Sequence, residues 1–384
     1  MGPDPADSSP RPVLPRSAII LLTLACAAVV AFGLAAIRGI FTPVFFAFIL
    51  TLCVHPLRRW MQARGISRGI ATGTTIAAVF GLLAAFAGVL VASLAQFSAL
   101  LPQYAPQLAQ LGASIAGMLE SLGFGPEQAQ TVLDGFTPGR ILGFLGDLLG
   151  NVAGLVGSLV IILTMLILIA VDGSRVPALL THLNYHRPAL VSAFNGFGTG
   201  VRRYMVATTV LGIAQGTFNW LVLVILQVPG ALLWGLLSFI CSFIPNIGYF
   251  IAIIPPLFLG FLTGGWPTVG AIIIIYGGIN SVVQSIIQPK YVGNAVSLSE
   301  TLTFVSVLFW AVILGPVGAI LAVPLTLFLR AILLDSDPSI SWWRPLTGDK
   351  KDLEQLLKEE DAAIRARRGR QRPGRPDPGS TPKV

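Results

Sequence analysis

Charge is what this 384-residue sequence has least of. Asp, Glu, Lys and Arg make up 11% of it against 54% hydrophobic residues, where a soluble domain carries about 25% charged residues. No charged residue falls among the 86 positions between Arg203 and Lys290, or among the 29 between Glu300 and Arg330. About 20 apolar residues cross a bilayer as a helix. Runs of this length exclude a soluble globular protein and imply an all-α, polytopic membrane chain. Lysine is scarce as well. The five present stand in no G-x-x-x-x-G-K-[ST] context, which excludes nucleotide binding by a P-loop. The three histidines, His55, His182 and His186, have no metal-ligand clustering. Neither a Ser-His-Asp arrangement nor H-E-x-x-H occurs, so no metal, no cofactor and no enzymatic activity are expected. Cys26, Cys53 and Cys241 lie inside apolar runs and read as small hydrophobes, not disulfides. The net charge of +8 does not point to nucleic acid, because the basic residues occupy short loops and the tail, as in cytoplasmic loops of membrane proteins.

The apolar runs predict eight spans, at 17–37, 39–56, 69–95, 148–171, 204–227, 231–262, 267–288 and 301–329. The first is a span and not a signal peptide, since its apolar core exceeds the roughly 7–15 residues of a signal h-region. Arginine orients the set by the positive-inside rule. Arg58, Arg59, Arg64 and Arg68 follow the second span, Arg175, Arg187, Arg202 and Arg203 the fourth, and Arg330 the eighth. The loop after the third has Glu120, Glu127, Asp134 and Asp147 against Arg140 alone. Both termini are therefore expected in the cytoplasm, with the chain in a bacterial inner membrane. The resulting segments are a cytoplasmic stretch 1–16, three spans over 17–95, an extracytoplasmic amphipathic helical region 96–147, five spans over 148–330, and a basic cytoplasmic tail 331–384 that is partly disordered. In the 96–147 region Leu101, Tyr104, Leu108, Leu111, Ile115, Met118 and Leu122 make a heptad-like seam. It covers the protein's own outer face, or it serves as a subunit contact or gate. In the tail, "DKKDLEQLLKEEDAAIRARR" reads as a short amphipathic helix with Glu354 four before Lys358.

Proline, at 27 residues, is not scarce, and its placement is informative. In "SFIPNIGYFIAIIPP", Pro245 and Pro255 bracket "GYFIAI"; Pro316 and Pro324 bracket the similar "GAILAV". Proline inside a helix costs about 3 kcal/mol. The two stretches are either ordinary proline kinks or discontinuous helices of the kind from which transporters build solute sites. In the second case Asn246 and Tyr249 would satisfy freed backbone groups, and Gly248 would adopt conformations that a Cβ disfavours. The seventh span adds Tyr276, Asn280, Gln284 and Gln288, one every four residues and so along one helix face. Thr208, Gln215 and Asn219 on the fifth are a lesser version. Such residues either join helices, at about 0.6 kcal/mol each, or line a hydrated substrate path. They are amides and hydroxyls without a carboxylate or ammonium, which suits a neutral hydroxylated solute.

"IPNIGYFIAIIPP", "QPKYVGNAVSLS" and "LGPVGAILAVPLTLFLR" resemble the three C-terminal signatures of the autoinducer-2 exporter-like (AI-2E) transporter family. "AVDGSRV" and "VRRYMVATTVLGIAQG" resemble that family's fourth-span exit and the start of its fifth span. The resemblance covers roughly residues 148–330. It implies an eight-helix inner-membrane protein, a homo-oligomer (a pentamer), exporting small solutes such as autoinducer-2 without ATP, with some relatives linked to quorum sensing and others to sodium/proton antiport. Many members carry an acid or asparagine near Gln288, and a tyrosine near Asn246. Gln at 288 fits a neutral substrate better than cation coupling.

The expected function is thus an exporter or facilitator of a small neutral polar solute. The alternatives are a sodium/proton antiporter, which should show buried acids, and a non-transporting scaffold, which needs neither prolines nor polar stripe. Orientation is directly testable. Single cysteines replacing Ser67 and Ser114 are expected to react with impermeant thiol reagents from opposite sides of the membrane; labelling of both from outside would overturn the arginine-based map.

Overall fold

The computed structural model describes residues 15–123, 125–135, 138–173, 175–287, 298–337 and 358, and among them only helices, turns and short connections. Hydrocarbon offers no water to backbone N–H and C=O groups, so a spanning segment must satisfy them internally, as a helix does. Four long helices realise expected spans one, two, three and five: α1 (Arg16–Ala36), α2 (Arg38–Ala63), α3 (Arg68–Leu100) and α8 (Pro188–Ile225). Between α3 and α8 come α4 (Ala105–Ser121), α5 (Pro126–Gly135), α6 (Pro138–Asp172) and α7 (Val176–His186). The expected fourth span is the second half of α6, and α7 leaves it at a bend of 64°. The tail helix and Gln288 lie outside the described residues.

The C-terminal half departs from simple spans. It comprises α9 (Ala231–Cys241), α10 (Gly248–Ser281), α11 (Glu300–Leu314), α12 (Pro316–Ile320) and α13 (Ala322–Arg330), with π-helical turns at Val282–Ile287 and Ala331–Asp335. α10 is not one rod. Gly265, with φ 64° and ψ −157°, breaks it. Tyr249 Oη stands 3.5 Å from where a Cβ on Gly277 would be, although 28 residues of straight helix would separate them by about 42 Å. The two arms, 248–264 and 266–281, therefore fold back on each other, as the expected turn at "TGGWP" requires.

A second reversal precedes it. α9 is only 11 residues long, about 16 Å of rise, and cannot cross a bilayer. The chain turns through 242–247 and α10 returns along α9. At the turn the Gly248 backbone lies against the Cys241 carbonyl, with no room for a Cβ. Near the C-terminus the same device recurs. Gly315, with φ 76°, ends α11, and α12 and α13 pack back along it. Gly318 abuts the Trp310 carbonyl, and Trp310 donates its indole N–H to Thr326 Oγ1 at 3.1 Å. The matched stretches "GYFIAI" and "GAILAV" are thus the returning arms of two helical hairpins, each starting with a glycine pressed on the outgoing arm.

These hairpins change the span count. By length and composition, five helices among the described residues can cross a membrane, or six if the bent α6–α7 pair is one span, and one of the five is the hairpin α10 itself. Eight was expected because 231–262 and 301–329 are apolar enough for single spans. Tertiary folding divides each into short arms instead.

Three apolar clusters hold the arms. Phe45 and Ile49 of α2, Phe197 and Val201 of α8, and Trp310, Leu321 and Leu325 of the second hairpin form the largest. Leu94 and Phe97 of α3 pack with Trp234, Leu259, Ile272 and Tyr276 of the first hairpin. Ala47, Ile162 and Leu166 join α2 to α6, with Ile76 and Val79 of α3 against them. α8 and α9 approach closely through glycine: a Cβ on Gly216 would stand 2.7 Å from the Gly235 carbonyl.

Asn246 stands at the apex of the first hairpin, exposed, with φ 65°. The left-handed region costs an ordinary residue about 1–2 kcal/mol but is tolerated by asparagine. The reason for Gly248 also differs from the conformational one expected. It is helical, and its need is space.

Two stability predictions follow from these contacts. Gly248→Val and Gly318→Val should each lower stability by about 3 kcal/mol or more, since backbone cannot yield as a flexible side chain does, whereas Ile273→Ala on the exposed face of α10 should cost under about 1 kcal/mol. Asn246→Gly should be within about 0.5 kcal/mol of the parent and Asn246→Val about 1–2 kcal/mol worse. Thermal unfolding of the purified protein in detergent reads both series.

Candidate solute site

The first hairpin and α8 enclose a cavity of about 490 Å³, including its open mouth. Each wall has a local cause. On α8, Thr208 and Gln215 are seven residues apart, two helical turns, and so share a face; both are buried, at 5% and 8% exposure. On α9, Ser238 and Ser242 are four apart and face the same space, with Cys241 beside them. The returning arm of α10 contributes Gly248, Tyr249 and Ala252, and its second arm and the following π-helical turn contribute Asn280 and Gln284.

The polar groups that meet here are hydroxyls and carboxamides, and no charged side chain is among the described residues that line the cavity. Backbone adds to them. Pro255 and Pro256 have no N–H, so the carbonyls of Ile251 and Ala252 lack their helical donors, and Ala252 lies on the cavity wall. An α-helix that crossed unbroken would offer no such acceptor.

Of the residues singled out from sequence, Gln215, Pro245, Gly248, Tyr249, Asn280 and Gln284 converge on this cavity. Asn246, three residues before Tyr249, does not line it; the left-handed turn directs position 246 to the exposed side of the apex. Asn219 and Tyr276 lie behind the cavity, each 1% exposed. Asn219 donates through Nδ2 to Ser238 Oγ at 3.1 Å, while its Oδ1 and the Tyr276 hydroxyl have no hydrogen-bond partner. The Ser238 hydroxyl sits beside that phenol, so Asn219, Ser238 and Tyr276 tie α8, α9 and α10 together as well as flanking the site. The prolines divide likewise: Pro255 stands in the returning arm, and Pro316 and Pro324 belong to the second hairpin, away from this cavity.

Ser238, Cys241 and Ser242 were not singled out from sequence. The four-residue spacing of the two serines within "LSFICS" was the available signal; it was masked because α9 read as part of a long apolar span.

Comparison with known proteins agrees with the architecture. Residues 19–336 match the profile described as AI-2E family transporter. Among similar proteins, the "Putative transport protein YhhT" of Escherichia coli (strain K12) is 28% identical over 312 residues, 80% of this chain and 88% of that protein. A "Putative transport protein" of Haemophilus influenzae is 31% identical over 227 residues, 58% of this chain and 65% of that one, just under two thirds of its length. The "AI-2 transport protein TqsA" of Escherichia coli (strain K12) is 30% identical over 196 residues, 51% and 57% of the two chains. With most of its length, both hairpins included, inside the matched region, this chain is a multi-pass membrane protein of the AI-2E transporter family.

Proposed function

We propose that the cavity between α8, α9 and α10 is the solute site of a transporter for small, neutral, polar molecules, working as an exporter or facilitator without ATP. One observation carries this reading: a cavity inside an apolar bundle is lined by amides and hydroxyls, with no charged side chain among the described residues that line it. A charged solute entering it would lose its hydration shell without gaining a counter-charge, at a cost of several kcal/mol. A hydroxylated neutral solute exchanges water for Gln215, Ser238, Asn280 and Gln284 at little net cost. The relative TqsA is named for AI-2, which makes autoinducer-2 the first solute to test.

Alternating access would use the hairpins. They are short arms joined by glycine and proline turns; the first meets α8 closely at Gly212, Gly216 and Gly235, whereas the second packs on α8 through Phe197 and Val201. Such elements shift as units. On this reading the protein sits in the bacterial inner membrane with both termini cytoplasmic, as a homo-oligomer; the wholly unburied apolar helix α1 is then free to meet lipid or neighbouring subunits.

Proteoliposomes loaded with a panel of neutral hydroxylated solutes and charged analogues test the reading. Efflux of neutral solutes is expected without ATP, and charged analogues should be retained. Gln215→Ala and Gln284→Ala should each lower the rate at subsaturating solute about three- to tenfold, the worth of one neutral hydrogen bond, with insertion and assembly unchanged. Ile273→Ala should transport like the parent. Unaltered efflux in both glutamine variants would make these residues helix–helix joints and move the site elsewhere.

A further inference from the structure

A second cavity, of about 390 Å³ including its open mouth, lies between α2, α3 and α6. Its composition changes with depth. At the arginine-rich end stand Arg58 and His55 of α2 and Thr72 of α3; one to two turns deeper the wall is mainly apolar, Ile76, Val79 and Leu166, with Thr51 and Thr75 whose hydroxyls donate to their own helix carbonyls. α2 and α6 end at this level and α3 begins there, so the charged lining is confined to one end of the groove.

At the polar end, positive charge stands without a neutralising acid among the described residues. Arg58 Nε is buried without a hydrogen-bond partner, and so is Gln62 Nε2 one turn later. Arg59 and Arg68 are close enough to Arg58 to repel it, and Arg58, Arg59 and Arg202 all act on His55. No acid occurs in the sequence between Asp7 and Glu120. Asp172, at the end of α6, is exposed and within 3.9 Å of Arg175, a pair too solvated to offset a cluster of this size. Arg64 faces away from the problem, its guanidinium lying 3.8 Å over the Trp60 ring. A half-buried guanidinium among other cations is costly unless an anion completes it. Basic pockets between helices at the cytoplasmic side of a membrane are suited to anionic headgroups.

We propose that this groove binds an anionic phospholipid, its phosphate at Arg58 and Thr72 and one acyl chain along Ile76, Val79 and Leu166. Charge complementarity selects the headgroup and the apolar depth selects a lipid over a free anion. The bound lipid would brace α2 and α3 on α6, the part of the bundle that does not contribute to the solute cavity. The proposal is independent of the solute reading, because it is tested by binding.

The experiment uses the full-length protein, purified and delipidated in detergent, with thermal unfolding followed as phosphatidylglycerol, phosphatidylcholine or inorganic phosphate is added. Phosphatidylglycerol is expected to raise the melting temperature saturably, with phosphatidylcholine and phosphate giving little. Arg58→Gln should weaken the apparent affinity for phosphatidylglycerol about fivefold or more, the usual worth of one basic residue at a charged lipid surface. Arg187→Gln removes an exposed charge outside the groove and should leave the affinity unchanged. If Arg58→Gln does not survive purification, Ile76→Trp fills the groove without altering charge, and native mass spectrometry of that variant should show the retained lipid lost. Equal stabilisation by phosphatidylcholine, or by phosphate alone, overturns the proposal. So does equal weakening by Arg187→Gln, or full lipid retention in both groove variants.

Discussion

Two carbonyl groups set the shape of the C-terminal half. The Cys241 and Trp310 oxygens each receive the backbone of a glycine, Gly248 and Gly318, from a chain segment that has just reversed direction. A reversal at membrane depth is tolerated only where protein or enclosed water meets the freed backbone groups. At the first reversal, local turn bonds do this, with Phe243, Ile244 and Gly248 N–H donating to the Ile240, Cys241 and Ile244 carbonyls, and only a residue without a Cβ permits the returning arm so close an approach. The hairpins, the cavity between the first of them and α8, and the shortness of α9 all depend on these two contacts.

The walls of the cavity beside α8 come from that reversal. Because α10 returns along α9, Ser238 and Ser242 are brought opposite Tyr249 and Ala252, and the second reversal at Gly265 brings Asn280 and Gln284 to the same space. The buried Asn219–Ser238 hydrogen bond and the adjacent Tyr276 phenol hold three arms in register. Distinguishing helix joints from a solute path, as alternatives, is therefore too sharp for this region. Asn219 and Tyr276 behave as joints, whereas Gln215, Asn280 and Gln284 face the cavity.

The remaining bundle has a different character. α2, α3 and α6 meet through apolar side chains over most of their length and, at one end, around the partnerless Arg58 Nε. Among the described residues the two cavities therefore differ in electrostatic character: the one in the hairpin region is lined by neutral polar groups, the other is mainly apolar with a positive end.

Composition alone determined the environment. Long charge-free runs can be buried only in lipid, and the arginines mark where they leave it. The presence of α1, α2, α3 and α8, the turn at "TGGWP" and the similarity of the two proline-flanked stretches were readable, because each rests on local chemistry: hydropathy, glycine freedom and proline's missing N–H; the polar extensions of α2 to Ala63 and of α8 back to Pro188 were not, since hydropathy does not register them. Whether the prolines kink a span or reverse it was not readable. A proline states that a helix cannot continue, but the direction of the next segment is set by what it packs against, and here that is the carbonyl of a residue seven or eight positions back and the apolar faces of α2, α3 and α8. Which polar residues face the same cavity follows from that direction, so Ser238 joins the site, Asn246 leaves it for the exposed apex, and neither placement could be derived from spacing along a single helix.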